Sequence, residues 1–218
     1  MIFHSSKKTD MSSRIDYSEN EVHSFLKPLG FRKHGRTLHR FVSGDISQVI
    51  SFQCGQAYRG ETHLMWVNTG IRVPECFERS FDFLITKKYY HEYDCNIRSR
   101  LGAIRNRNSQ KVKTFDLRKD IEKTSSSICD EIKNDVLPVF DILSSCEAIL
   151  MHRREYPWFD YLNHHLILLE EAMIYGHLGQ KEKAKELFDQ YYAQAIVECK
   201  NPGHVKYLDE LRVKLELE

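Results

Sequence analysis

The chain has 218 residues, 41% of them hydrophobic and 29% charged, which excludes a largely disordered polypeptide. It is long enough to bury a core without disulfide or metal staples, and at about 150 residues per domain it predicts one domain with an appendage or two small ones. The formal net charge of +1 leaves no global field to drive it onto DNA or an anionic membrane. No uninterrupted apolar run exceeds five residues, against the roughly 20 needed to span a bilayer, so no membrane partner is expected. The first ten residues turn polar directly after Ile2-Phe3 and lack the apolar segment of a signal peptide. Residues 1–15 therefore read as a flexible tail. The six cysteines, at positions 54, 76, 95, 129, 146 and 199, include no close pair. They match neither a zinc site nor a secreted disulfide framework, so reduced thiols in a cytoplasm are expected, with no cofactor.

Along the chain, Ser18 to Leu29 reads as a short helix, with Val22, Phe25, Leu26 and Leu29 at helical spacing and Gly30 as its stop. Thr37 to Ser43 and Ile46 to Cys54 flank Gly44-Asp45, a hairpin signal with glycine first. Thr62 to Val73 follows as a third strand, with Met65, Val67, Ile71 and Val73 on one side. Leu64, Trp66, Asn68 and Arg72 take the other. Short connections between successive strands argue for an antiparallel meander, since parallel pairs need longer crossovers. Pro74 is expected to open a short helix through about Ile85, and two further strands are expected near Cys95 to Leu101 and Val112 to Leu117. From Lys119 the period becomes helical, with Ile121, Ile128, Ile132 and Val136 in a helix expected to end before Pro138. After 139–151 the chain reads as helical. One stripe is expected from Phe159 through Leu162, Leu166 and Leu169 to Met173, and a second helix carries Ala184, Leu187, Phe188 and Tyr191. Asn201-Pro202 supplies a start for a last helix with Val205, Leu208, Leu211 and Leu215. The expected organisation is a tail (1–15), an α+β domain (16–150) and a C-terminal helical hairpin plus final helix (151–218).

Ala172, Tyr175, Gly179, Ala184 and Phe188 fall at the spacing of one tetratricopeptide repeat, and this hairpin resembles such a repeat. A single copy cannot build a superhelical groove, which needs about three units. A wider resemblance rests on the stretch from Leu29 to Leu38, on Phe52-Gln53, and on Val67-Asn68-Thr69-Gly70-Ile71. Arg98-Ser99-Arg100-Leu101-Gly102 and Val136-Leu137-Pro138 extend it. On these, residues from Leu26 to about Leu150 resemble the bacterial family called domain of unknown function 4304. The resemblance implies an α+β domain of cytoplasmic bacterial proteins and brings no activity with it.

Recognisable catalytic signatures are missing, and an enzyme is the less favoured reading. Gly30 to Thr37 almost spells a phosphate-binding loop, but a helix precedes it, a strand follows it, and Arg36 stands in the lysine position. His91 and Cys95 lie among acids, yet no second ligand motif accompanies them, so no metal is expected. Asp160 and His164 fall one helical turn apart, with His165 and Glu171 near, an arrangement read chiefly as a helix-surface pair. Cys54, with His39 and His63 in the same expected sheet, reads as a small hydrophobe before an activated thiol.

Charge is clustered. Residues 31–41 hold four basic residues and no acid, and residues 98–119 hold eight basic residues and one acid, while 120–218 is acidic overall. Arg32, Arg36, Arg98, Arg100, Arg105 and Arg107 are thus candidate nucleic-acid contacts if the two stretches share a face, with Tyr89, Tyr90 and Tyr93 placed to stack on bases. Gln48, Gln53, Asn68 and Arg72 interrupt otherwise apolar strands and are candidates for a groove taking a peptide or small ligand. The expected fold is α+β, an antiparallel sheet of four to five strands with an N-terminal helix and a C-terminal helical segment. The expected function is a non-enzymatic protein-interaction module, for which an accessory or immunity-type role fits by analogy alone. The alternative is a nucleic-acid-binding or nucleic-acid-processing protein.

Overall fold

The computed structural model describes residues 4–43, 46–54, 64–78, 88–107, 113–160, 166–198 and 202–217. Its centre is a meander, as the alternation of apolar residues and short connections requires. Strands β1 (Arg32–His34), β2 (Thr37–Phe41), β3 (Ser47–Cys54), β4 (Leu64–Arg72) and β5 (Ile97–Arg100) lie side by side in sequence order, each antiparallel to the next. A sixth strand, β6 (Phe115–Asp116), pairs with the start of β4. The longest ladder joins β3 to β4, from Ser47 opposite Arg72 to Cys54 opposite Met65. The fold is therefore α+β, with β1 added to the expected strands. Its three residues are too short and too charged to show a strand pattern. They pair because Gly35, at φ +56°, closes a tight turn that sets His34 opposite Thr37.

One face of the sheet carries Leu38, Ile50, Phe52, Met65, Val67, Ile71 and Ile97, all buried. Against it pack helices α1 (His4–Leu26) and α4 (Ile121–Glu131), which contribute Val22, Leu26 and Ile128 to one continuous core. The N-terminal expectation is corrected here. The segment read as a loose tail is helical from His4, and Ile15 is buried in the core. Buried Ser18 and Glu19 sit between Ile15 and Val22 and break the apolar pattern that would have shown it.

The helix over Pro138 is a second correction. After α4 the backbone makes a π-helical turn (Ile132–Val136), closed by Leu137 N–H donating to the Ile132 carbonyl, and resumes as α5 (Leu137–Ile142). The wider turn places Pro138 in the first turn of a new α segment, where a missing N–H costs little. Phe140 of α5 is fully buried between Phe31 and Phe159, and its carbonyl accepts from Gln48 Nε2 at 2.5 Å.

Short helices α2 (Glu75–Glu78), α3 (Ala103–Asn106) and α6 (Cys146–His152) complete the sheet-side shell. Next come α7 (Ile167–His177), α8 (Lys181–Glu198) and α9 (Pro202–Lys214). The single stripe expected from Phe159 to Met173 is not one helix. Phe159 lies in a 3-10 turn (Pro157–Phe159), and α7 begins at Ile167. Leu162 lies outside the described residues, as do His63, His164, His165, Gly44 and Asp45. Ala172, Ala184 and Phe188 are fully buried where α7 meets α8, and Gly179 turns the chain at φ +76°. Arg153, in the 3-10 turn that follows α6, is buried and donates to Asp160 and Glu170, tying the C-terminal helices to the sheet end. Among the described residues, no helix is long and apolar enough to cross a membrane.

Truncating the fully buried Phe140 to alanine should cost about 3–5 kcal/mol by urea unfolding. A loss below about 1 kcal/mol would show that the three packed rings do not hold the sheet to its helices.

Candidate functional site

Among the described residues, the second face of the sheet has no long helix on it. Strand registers set its rows: Arg32, His39, Val49, Gly70 and Arg98 lie across one, and His34, Thr37, Ser51, Asn68 and Arg100 across the next. The chain at 88–95 runs over this face. Its closest approach is at Gly70, where an added Cβ would lie 2.7 Å from both Cβ and Sγ of Cys95. Only glycine lets the segment lie down there. Val49, Tyr90 and Cys95 form a small second core beneath it, and the Arg72 guanidinium sits 4.0 Å from the centre of the Tyr90 ring.

A short 3-10 turn (Glu92–Asp94) fixes the cover, with the Asp94 carboxylate accepting from His91 N–H at 2.9 Å. Glu92 is buried and accepts from Arg98 through Nε at 2.8 Å and Nη2 at 2.5 Å. The His91 ring pairs with the Thr37 hydroxyl at 3.0 Å. From these anchors a chain of rings crosses the β1–β2 side. His34 stacks on Tyr89 with centroids 3.4 Å apart, Tyr89 meets the edge of His91 at 5.5 Å, and His91 stacks on Tyr93 at 5.0 Å. His39 bridges Tyr89 to Phe41. The two ends of the chain are open, Tyr93 at 66% exposure and Phe41 at 45%. Burial lowers the His39 pKa, and Arg32 opposite it in the ladder pushes the same way. Arg32 and Lys88 are exposed beside the rings.

The six candidate arginines do not converge. Arg32 and Arg98 share a row but stand four strand spacings apart, about 19 Å. Arg98 is engaged by Glu92, and Arg100 Nη2 donates to Gln53 at 3.3 Å. Arg36 lies 3.4 Å from the buried Glu19 carboxylate. Arg105 is on α3, 3.4 Å from Glu131, and Arg107 covers Trp158 at 5.2 Å. Arg105 borders an open polar cleft of about 420 Å³ with Lys123, Ser127, Asp130, Glu131 and Asp135. Buried Glu131 there is already bound by Lys113 and by Ser127. Burial pushes the Asp135 carboxyl up, against the pull of Arg105.

The expected groove of Gln48, Gln53, Asn68 and Arg72 is corrected by the pleat. Gln48 points into the helical face, fully buried between Phe140 and Arg40, which donates to it at 2.7 Å. Arg72 is buried beneath Tyr90. Gln53 and Asn68 do meet on the second face, Asn68 Nδ2 donating at 3.1 Å. Cys54 and His39 fall on opposite faces by the same alternation, and burial raises the Cys54 thiol, so they form no nucleophile pair. Among the described residues no group of histidine, cysteine and acidic side chains could hold a metal. The cover over Gly70 was missed from sequence, although a glycine inside a strand is the signal for such an approach.

The profile described as Domain of unknown function (DUF4304) matches residues 22–142, more than half of the chain, and the chain belongs to that family. No curated protein and no solved structure matches it.

Replacing Gly70 by alanine should lift the cover, costing about 1–3 kcal/mol and speeding amide exchange over 88–96. Adding Cys95→Gly should restore protection. Unchanged exchange in the single variant would mean that the approach at Gly70 does not hold the segment down.

Proposed function

We propose that this member of the DUF4304 family is a non-enzymatic interaction module that binds another protein through the ring-lined, cationic side of its second sheet face. The observation that carries the reading is the exposed pair Phe41 and Tyr93 at the ends of a rigid ring chain. Aromatic anchors of this kind supply large contact area at small entropic cost, and they recur at the centre of protein interfaces. Arg32 and Lys88 flank them. The two acids of the cover are engaged, Glu92 by Arg98 and Asp94 by the His91 backbone. The strip therefore favours a partner with an acidic surface. The described cysteines are free thiols, which supports a cytoplasmic setting, and an accessory or immunity-type role is consistent with such a module.

A nucleic-acid reading draws on Tyr93 stacked over His91 near Arg32. Phosphate binding needs several free cations on one surface. Of the six candidate arginines, Arg36, Arg98 and Arg105 are ion-paired, Arg100 is hydrogen-bonded and Arg107 is stacked. This pairing supports a protein partner over nucleic acid.

Purified from its native host with a tag, the full chain should carry one stoichiometric protein. Tyr93→Ala combined with Arg32→Glu should weaken that capture about tenfold or more at unchanged thermal stability. Equal capture by the variant would remove the strip from the interface. Salt-sensitive retention on an oligonucleotide column, abolished by Arg105→Glu with Arg107→Glu, would replace this reading with the nucleic-acid one.

A further inference from the structure

Arg153 is 1% exposed, and its guanidinium is shared by two carboxylates. Nε donates to Asp160 Oδ2 at 2.6 Å, and Nη2 donates to Glu170 Oε2 at 2.6 Å. The two acids are not equivalent. Glu170 has donors on both oxygens, because Asn96 Nδ2 reaches Oε1 at 3.0 Å. Among the described residues, Asp160 Oδ1 is sealed from solvent with no hydrogen-bond partner. One buried cation against two buried carboxylates leaves an excess negative charge in the interior, where an uncompensated charge is strongly disfavoured.

Among the described residues, the surroundings bring no further cation to these two acids. From the same 3-10 turn, Arg154 is bound to Glu171 of α7 at 2.5 Å and neutralises it alone. From α2, buried Glu75 adds a further carboxylate, with Oε2 unpartnered, and Cys76 donates its thiol to the Glu170 carbonyl. From α6, the Cys146 thiol lies beside Glu75. His177 of α7 stands 3.6 Å from Glu75 and is half exposed. From β5, only the backbone N–H of Arg98 favours the ionised Asp160.

We propose that this cluster is a proton-binding site, in which Asp160 takes up one proton as the C-terminal segment docks, so that the segment is held more firmly as pH falls. Protonating Asp160 removes the excess charge at the oxygen that has no donor, while Glu170 keeps its ion pair. Burial, opposed by Arg153, pushes the Asp160 carboxyl above its ordinary value, consistent with that placement. The sign is opposite to that of an ordinary salt-bridged aspartate. A carboxyl whose folded pKa lies above its unfolded value of about 3.9 contributes stability that grows as pH falls through the folded pKa and is lost as pH rises through it. The site is independent of the ring-lined strip.

The test is thermal and urea unfolding of the full chain between about pH 4.5 and 8 at fixed ionic strength, for the wild type and Asp160→Asn. Asparagine mimics the neutral acid. Between the unfolded value of about 3.9 and the folded pKa, the ratio of the variant's folding constant to that of the wild type should grow by up to about tenfold per pH unit, and it should level off above the folded pKa. A ratio that stays constant with pH overturns the proposal. If Asp160→Asn does not fold, the carboxyl carbon of Asp160 in the wild type, followed by NMR, decides. Titration above about 3.9 supports proton uptake, and titration at or below that value overturns it. Glu170→Gln, which leaves one carboxylate for one guanidinium, should return the Asp160 titration toward its ordinary range. An unchanged titration in that variant would likewise sink the charge argument.

Discussion

The close approach of backbone and side chain at Gly70 is the contact on which the rest of the arrangement turns. β4 has a neighbour on both edges and is buried on both faces through its second half, where residues 67–72 are all sealed from solvent. Because Gly70 has no side chain, Cys95 and the Glu92 carbonyl rest directly on the strand. That contact sets the height of the segment from Lys88 to Cys95 and hence the order of rings from Phe41 to Tyr93. It also delivers Asn96, whose side-chain oxygen accepts from Val73 N–H at 2.9 Å and whose amide donates to Glu170. The segment that rests on this glycine thus carries rings of the exposed strip and one donor to the buried ion cluster, Asn96.

Charge in this protein is arranged mainly to neutralise itself across long sequence distances. Arg40 reaches Asp141, Lys113 reaches Glu131, Arg36 and Lys33 reach Glu19, and Arg212 reaches Asp189. From the basic stretches at 31–41 and 98–119, Arg40, Arg105 and Lys113 reach acids of the helices beyond them, at Asp141 and Glu131. The exposed pairs contribute little each, whereas buried Glu19, Glu131, Asp160 and Glu170 require a partner or a proton. Beside the rings, the surface keeps exposed cations at Arg32 and Lys88.

Much of the fold was legible in the sequence because the pleat imposes a strict period of two. The β2–β3 hairpin, the apolar side of β4 and the stop at Gly30, with φ +88°, follow from residue pattern and turn chemistry. The site was less legible. The three tyrosines at 89, 90 and 93 were singled out as stacking residues, but their real partners are His34, His39, His91 and Arg72, which come from other strands or from the turn itself. Asp160 accepts from Arg153, a contact that helical spacing does not announce, because the turns at 153–155 and 157–159 lie between them.

The amino-acid order alone determined the α+β class, the antiparallel meander, the helical C-terminal third and the membership that Leu29 to Leu38 and Val67 to Ile71 announce. These rest on interactions between near neighbours, whose periods are written along the chain. Only the tertiary structure decided which arginines remain free, that Gln48 faces inward, and that a single guanidinium must serve two acids. Charge pairing and close packing join residues as much as a hundred positions apart, and no local pattern records which of many equivalent partners the folded chain brings together.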